Sequence, residues 1–331
     1  MLIVEGSAMK KLLAGYIGGS SVDLARVRNA GGQIELFDQA NYISKSYADL
    51  ESILSLYLRK KKASIDVACF GVAGPVIKNE VSTTNLPWHI VGKSLEEKFS
   101  LKRVKLINDI VATAHGLSLL PAEKFYTINK GVKEENGNVG LIAAGAGLGE
   151  AVIYRNDQGI HPCASEGGRA DFAPGNQIES ELWEYLYSEL GGVEVVDVVS
   201  LTGLERIFGF LVDTHGGKRG EWLDRAENPA LAIIEAALSG QDETATRTLD
   251  IFINCYASEA ANLALKGMTL GGIYIGGMIA PQAITALDHG RFMVRFVKKG
   301  KMERVLANMP VGVIIEEKTA LLGAAGMTMA M

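Results

Sequence analysis

Three stretches of this 331-residue chain repeat one pattern: a short apolar run that breaks into glycine. Residues 11–14 lead into Gly15-Tyr16-Ile17-Gly18-Gly19-Ser20-Ser21, residues 139–143 into Gly145-Ala146-Gly147-Leu148-Gly149, and residues 270–275 into Gly276-Gly277. Apolar runs of this length suit buried strands, and glycine lets the chain turn sharply where a ligand can approach the backbone. Backbone N–H groups exposed at such turns can cradle phosphate oxygens. One such turn means little, since glycine often serves only the turn; three in separate units point to nucleotide binding. Neither familiar phosphate motif fits. No Gly-Lys-Ser/Thr occurs, and residues 145–149 lack the GxGxxG spacing and lead into a strand.

The rest of the chain reads as alternating strand and helix. Leu50, Ile53, Leu54, Tyr57 and Leu58 share one face of a helix over 47–62, with Ser46 as its cap and Arg59-Lys60-Lys61-Lys62 at its C-terminal end. A buried strand over 65–72 ends in Ala73-Gly74-Pro75, and a short helix over 95–99 is capped by Ser94. A further strand, 104–107, delivers Asn108-Asp109 to the start of a helix over 110–119. Beyond an exposed loop at 130–138, strands are expected at 150–154 and 311–315, and helices at 178–190, 229–237, 243–266 and 320–329. This alternation predicts an α/β fold. The length suits two domains: 1–119 completed by 316–331, and 120–315. The strand–glycine–strand units at 12–28 and 139–154 hint at a duplicated core.

Acidic residues outnumber basic ones, 38 to 33, for a net charge of −5. That balance speaks against a nucleic-acid partner, which requires a basic stripe. Cys69, Cys163 and Cys255 are odd in number and widely spaced, so neither a disulfide framework nor a zinc site is expected. The first eight residues are too short and mixed for a signal peptide, and the apolar run from 139 stops at Glu150, short of a membrane span. The expectation is a soluble cytoplasmic protein.

Ligands of α/β sheets bind beyond the carboxyl ends of strands. Asp109 stands there, and a carboxylate so placed could take a proton from an attacking hydroxyl. It could equally be the cap of the helix that follows. Glycines around Glu166 in Glu166-Gly167-Gly168-Arg169 would let it approach a small polar ligand, or the loop could close on itself. Asn85 could bind a hydroxyl or shape a turn. His115 and His161 stand alone and read as structural.

Several strings, in order, resemble the bacterial glucokinase family: ThrThrAsnLeuProTrp (83–88), IleAsnAsp (107–109) with AlaThrAlaHisGlyLeu (112–117), GlyLeuGlyGlu (147–150), AlaSerGluGlyGly (164–168) with AspPheAlaPro (171–174), and LeuLeuGlyAlaAla (321–325). The resemblance runs from about residue 11 to the end. It implies the two-domain actin-like ATPase fold with a central cleft, and transfer of the ATP γ-phosphoryl group to the 6-hydroxyl of glucose with Mg²⁺. It implies Asp109 as general base, Asn85, Asn108, Glu166 and Arg169 at sugar positions, and Gly18, Gly19, Ser20, Gly145, Gly147, Gly276 and Gly277 at nucleotide turns. A homodimer is the family expectation. The family with a cysteine zinc motif is a poorer match, because the cysteine cluster is absent.

The sequence departs from the family pattern at ligand positions. Tyr16 stands for an aspartate that helps hold Mg²⁺, Ser20 and Ala146 for threonines, Arg169 for a histidine, Val196 for a glutamate and Met278 for a glycine. An arginine at 169 could favour an acidic or phosphorylated sugar. Three expectations follow: an active kinase on glucose or a related sugar, a catalytically impaired relative that binds or regulates, and an ATP-using protein of the same fold with no sugar substrate. Retention of Asn108, Asp109 and Glu166 favours the first.

Overall fold

The computed structural model describes residues 10–84 and 86–331. They divide into two compact units: one runs to Leu120 and resumes at Lys318–Met331, and the other is Pro121–Glu317.

The first unit opens with β1 (Leu12–Ile17), β2 (Ser21–Ala30) and β3 (Gln33–Ile43), an antiparallel meander. Then come α1 (Leu50–Lys61), β4 (Val67–Val72), the short pair β5 (Glu80–Ser82) and β6 (His89–Val91), α2 (Gly92–Phe99), β7 (Arg103–Asn108) and α3 (Asp109–Leu117). The sheet order is β3-β2-β1-β4-β7, with β1, β4 and β7 parallel. Strand side chains alternate between faces, and both faces are covered. Leu13, Ile17, Ala68, Phe70 and Val72 pack with Leu50, Ile53, Leu54 and Tyr57 of α1 and Leu95 of α2. Leu12, Ala14, Val67 and Cys69 pack on the other side, with Ala112 of α3 and with Ala320, Leu321, Ala324 and Ala325 of the chain's last helix.

The second unit begins with β8 (Phe125–Asn129), β9 (Val139–Ala144), β10 (Leu148–Asn156) and β11 (Gly159–Ser165). Helices α4 (Gln177–Leu190), α5 (Leu201–Thr214), α6 (Glu221–Asp224), α7 (Pro229–Ser239) and α8 (Glu243–Gly267) follow. The chain then returns through β12 (Ile273–Gly276), α9 (Ile279–Gln282), α10 (Ile284–Asp288), α11 (Arg291–Val297), α12 (Glu303–Ala307) and β13 (Val311–Ile314). The order β11-β10-β9-β12-β13-β8 contains the pattern of the first sheet, an antiparallel meander whose first strand continues into two parallel neighbours. The duplication expected from residues 12–28 and 139–154 is thus present in the topology. The final helix, α13 (Thr319–Met329), belongs to the first unit and packs on α3 so closely that a Cβ on Gly116 or Gly323 would overlap the facing backbone.

Several boundaries differ from the sequence reading for local reasons. The helix expected at 47–62 starts at Leu50, because Asp49 caps it by accepting from Ser52 N at 2.7 Å, while Ser44–Ser46 form a 3-10 turn. The helix expected at 95–99 begins at Gly92, with Val91 and not Ser94 at its cap position. β1 carries through Gly15 and Tyr16, so the first glycine turn is only Gly18–Ser20. Gly15 is a packing glycine: a Cβ there would lie 2.5 Å from Phe70 Cδ1. Helix α5 went unforeseen, although Ser200, which accepts from Gly203 N, is an ordinary N-cap.

Candidate active site

In the first unit, register aligns Ile17, Val72 and Asn108 at the ends of three parallel strands. The residues just beyond them, Gly18, Ala73 and Asp109, therefore share one edge of the sheet. The turn at Gly18 is held in several ways. Gly18 N donates to Ser21 O at 2.8 Å, the buried Ser44 hydroxyl donates to Gly18 O at 2.9 Å, and Ser44 N donates to Ser20 O at 3.0 Å. Gly18's own N–H is therefore committed to the hairpin. Half-buried Gly19 and exposed Ser20 are left as the outward part of the turn.

Asn108 and Asp109 take different structural parts. Asn108 is the N-cap of α3: its Oδ1 accepts from Ile110 N at 3.0 Å and Val111 N at 3.4 Å, and its Nδ2 donates to Gly74 O at 3.1 Å. Asp109 is the first residue of the helix, with Oδ1 accepting from Ile110 N at 2.9 Å. The capping alternative raised for Asp109 thus belongs to its neighbour. Half-buried Asp109 starts a helix, where the positive end of the dipole supports a carboxylate.

Tyr16 lies beside this edge. Burial, then the charges of Asp109 and Asp23, push its phenol far above the usual range, so it is a neutral hydroxyl. Asp23 is its cross-strand neighbour on β2 and accepts from Asn41 Nδ2 at 2.8 Å. Asn85 lies outside the described residues.

In the second unit, Gly276 pairs with Ala143 across parallel β9 and β12, which brings the 145–147 turn and Gly276-Gly277 together. Gly145 N donates to Gly147 O and Gly145 O accepts from Leu201 N, both at 2.8 Å, so the turn is anchored on the start of α5. Gly277 must be glycine: its φ is +84°, and a Cβ would overlap Ala144. Gly147 and Gly277 are exposed, and Met278, at the head of α9, is 46% exposed.

Glu166 is exposed, at the mouth of a 3-10 turn spanning Gly167–Arg169. Arg169 does not present an open cation. Its Nη1 lies 2.8 Å from Glu194 Oε2, and Glu194, followed by Glu166 and Asp197, holds its pKa above the usual value. Glu194 and Asp197 form a reciprocal capping box around residues 195–197, and Arg206 pairs with Asp197 at 2.6 Å. A 380 Å³ depression is lined by Arg169, Asp171, Leu190, Gly192, Val193, Glu194 and Asp197. Val196 is not among its lining residues. The sequence reading missed Glu194, two residues before the position where a glutamate was sought. The spacing Glu194-x-x-Asp197 was the signal available for the box, but nothing local marked its pairing with Arg169.

These arrangements match known proteins over the whole fold. The glucokinase family model matches residues 13–331. The chain belongs to the glucokinase family. A glucokinase from Nostoc punctiforme is 34% identical, over 96% of this chain and 98% of that protein. The crystal structure of a glucokinase from an Antarctic psychrotroph superposes with a TM-score of 0.83 at 27% identity, over 98% and 100% of the two chains. A glucokinase of the ROK family from Streptomyces griseus, crystallised with glucose and AMPPNP, shares the fold at 18% identity with a TM-score of 0.69, over 97% and 100%. The α/β units of this glucokinase-family chain carry the actin-like ATPase fold.

Among the described residues no three His, Cys, Asp or Glu side chains cluster as a metal cage, and no helix is long and apolar enough to cross a membrane. The three cysteines are free thiols, Cys69 and Cys255 buried and Cys163 exposed.

Proposed function

We propose that this chain is a hexose kinase that passes the γ-phosphoryl group of ATP to the 6-hydroxyl of glucose or a closely related neutral hexose. The observation that carries the assignment of the base is the division of labour at the end of β7. Asn108 caps α3, so the fold does not need Asp109 for that purpose. Asp109 takes the proton of the hydroxyl as its oxygen attacks phosphorus, the bond to the β-phosphate oxygen breaks, and ADP leaves with the electron pair.

The turns at Gly19-Ser20, Gly145–Gly147 and Gly276-Gly277 would hold the phosphates through backbone N–H groups. Glu166 would accept hydrogen bonds from sugar hydroxyls. Arg169, neutralised by Glu194 and surrounded by Glu166 and Asp197, favours an uncharged sugar over an acidic or phosphorylated one. A glucose- and AMPPNP-bound relative of the same fold supports this choice of ligands.

Mg²⁺ commonly keeps several waters and is held by one or two carboxylates together with substrate phosphates, so it needs no protein cage. Asp23, beside Tyr16 on the sheet, is a carboxylate that fits this requirement, whereas the neutral Tyr16 is not. When bound, the ion would offset charge on the transferred phosphoryl group. The reading includes a cytoplasmic homodimer; light scattering on the purified protein tests the dimer.

The decisive experiment is coupled ADP release with Mg·ATP across neutral, acidic and phosphorylated hexoses, for wild type and Asp109→Asn. Turnover on a neutral hexose, lost in the variant, is expected. Calorimetric binding of both ligands with no turnover would instead favour a binding or regulatory role.

A further inference from the structure

Glu150 is a buried carboxyl on β10, directly ahead of the buried apolar run Ala151, Val152 and Ile153. It is 2% exposed, on β10 directly after the Gly147-Leu148-Gly149 turn, and pairs in register with Ser165 of β11. Its side chain points under the loop that begins there. A Cβ on Gly167 would overlap Glu150 Oε2, so this loop position accepts only glycine while Glu150 holds its place. Glu166 is the adjacent residue.

On its other side Glu150 faces Glu259 of α8, 5% exposed, within hydrogen-bonding reach. Oε1 of each carboxyl is buried and has no protein donor. Two acceptor groups in contact away from water are satisfied by one proton between them. Charge around Glu259 decides where the proton sits. Asn262 Nδ2 donates to Glu259 Oε2 at 2.9 Å, Lys266 Nζ lies 3.7 Å from Oε1, and Lys299 Nζ reaches Asn262 Oδ1 at 2.6 Å. These donors and cations cluster on the Glu259 side of the contact, and burial, followed by the facing carboxylate, favours the proton on Glu150. The remaining polar group near Glu150 on α8, the Tyr256 hydroxyl, accepts from Ala144 N at 3.2 Å.

We propose that Glu150, protonated and hydrogen-bonded to Glu259, is a positioning residue that sets the Ser165–Arg169 loop and with it the approach of Glu166 to the sugar. Loss of the proton sets two charges against each other, and because Glu150 Oε2 already lies against Gly167 their repulsion presses on the loop. Burial, followed by the charge of Glu259, raises the Glu150 carboxyl to about 7, so the change falls near neutrality. Sugar affinity should therefore fall with rising pH while nucleotide affinity does not. The inference rests on the reading of Glu166 as a sugar ligand.

The test is the pH profile of glucose KM, Mg·ATP KM and kcat from pH 5.5 to 9, with glucose calorimetry at pH 6 and 8.5. Wild type should show glucose KM rising about tenfold or more above an inflection near neutrality, with Mg·ATP KM flat. Glu150→Gln, which donates to Glu259 at every pH, should keep the low-pH glucose KM throughout. Gly167→Ala should raise glucose KM already at pH 6. Superimposable profiles for wild type and Glu150→Gln, or an inflection shared by Mg·ATP KM, overturn the proposal. Glu166→Ala separates the two ideas: an unchanged glucose KM there, or no glucose binding by wild type at either pH, overturns the reading of Glu166 and the proposal with it.

Discussion

Arg295 of α11 reaches across the second unit to Glu179 in the first turn of α4, and the pair is deeply buried, with side-chain exposures of 12% and 1%. Arg295 Nη2 stands 3.4 Å from Glu179 Oε2, and the same oxygen accepts from Gly175 N at 2.6 Å. Asn176 Nδ2 donates to Glu179 Oε1 at 2.7 Å. Arg295→Met keeps the stem volume and removes the charge. At 3.4 Å and an effective dielectric near 20, the lost attraction is about 5 kcal/mol. The two donors that remain, and the helix N-terminus, offset part of it, which leaves a cost of about 3–4 kcal/mol, as for other broken buried pairs. That should lower the melting temperature by roughly 6–16 °C for a unit of this size. In Glu179→Gln/Arg295→Met the glutamine still accepts from Gly175 N while no buried charge is stranded, so most of the loss should return. Thermal melts of the full chain at pH 7 read this directly. If Arg295→Met melts within about 2 °C of wild type, or the double variant is less stable than the single, the accounting of the pair is wrong.

Other consequences can be measured alongside. Asp109→Asn should reduce kcat by about 10²–10⁴ while the cap of α3, made by Asn108, persists; steady-state ADP release and circular dichroism check both halves. Gly323→Ala should destabilise the first unit by about 1–3 kcal/mol, since its Cβ would overlap Ala112 O of α3, and urea titration would register the loss. Glu150 supplies a pH signature of stability as well. An acid whose carboxyl is raised from 4.5 to about 7 contributes fully below pH 4.5 and loses that contribution as pH rises through 7. Wild type should therefore lose roughly 3 kcal/mol relative to Glu150→Gln between pH 4.5 and 8, read as the difference between their urea midpoints; parallel midpoints would refute it.

How much of this was legible beforehand depends on where each signal resides. The continuous apolar runs of Leu12, Leu13 and Ala14 and of the stretch through Val72 are local signals of strands buried on both faces, so the strands and the α/β class could be read directly. Helix starts were less legible because several polar residues compete for each cap. Ser46 and Asp49 both suit the role for α1, and only packing of Leu50 selects Asp49. At Asp109 the sequence left base and cap equally open; the side-chain bonds of Asn108 decided the cap. The buried charges were hidden altogether. Glu150 meets Glu259 only after β10 and α8 have packed, Glu179 meets Arg295 only after α4 and α11 have, and no spacing along the chain announces either pair. Arg169 looked like an anion receptor until Glu194 was seen beside it.

The helix that shuts the first sheet is also the one synthesised after everything else described here. The face formed by Leu12, Ala14, Val27, Val67 and Cys69 is finished only when α13 lays Ala320, Leu321 and Ala324 on it. On the ribosome the whole of Pro121–Glu317 emerges while that face still lacks its cover. The second unit, contiguous in the chain, can close as it is made, whereas the unit that bears Asp109 waits for α13. The first unit is thus incomplete until α13 has left the ribosome, and a nascent chain paused before that point exposes an apolar sheet face for chaperones to guard.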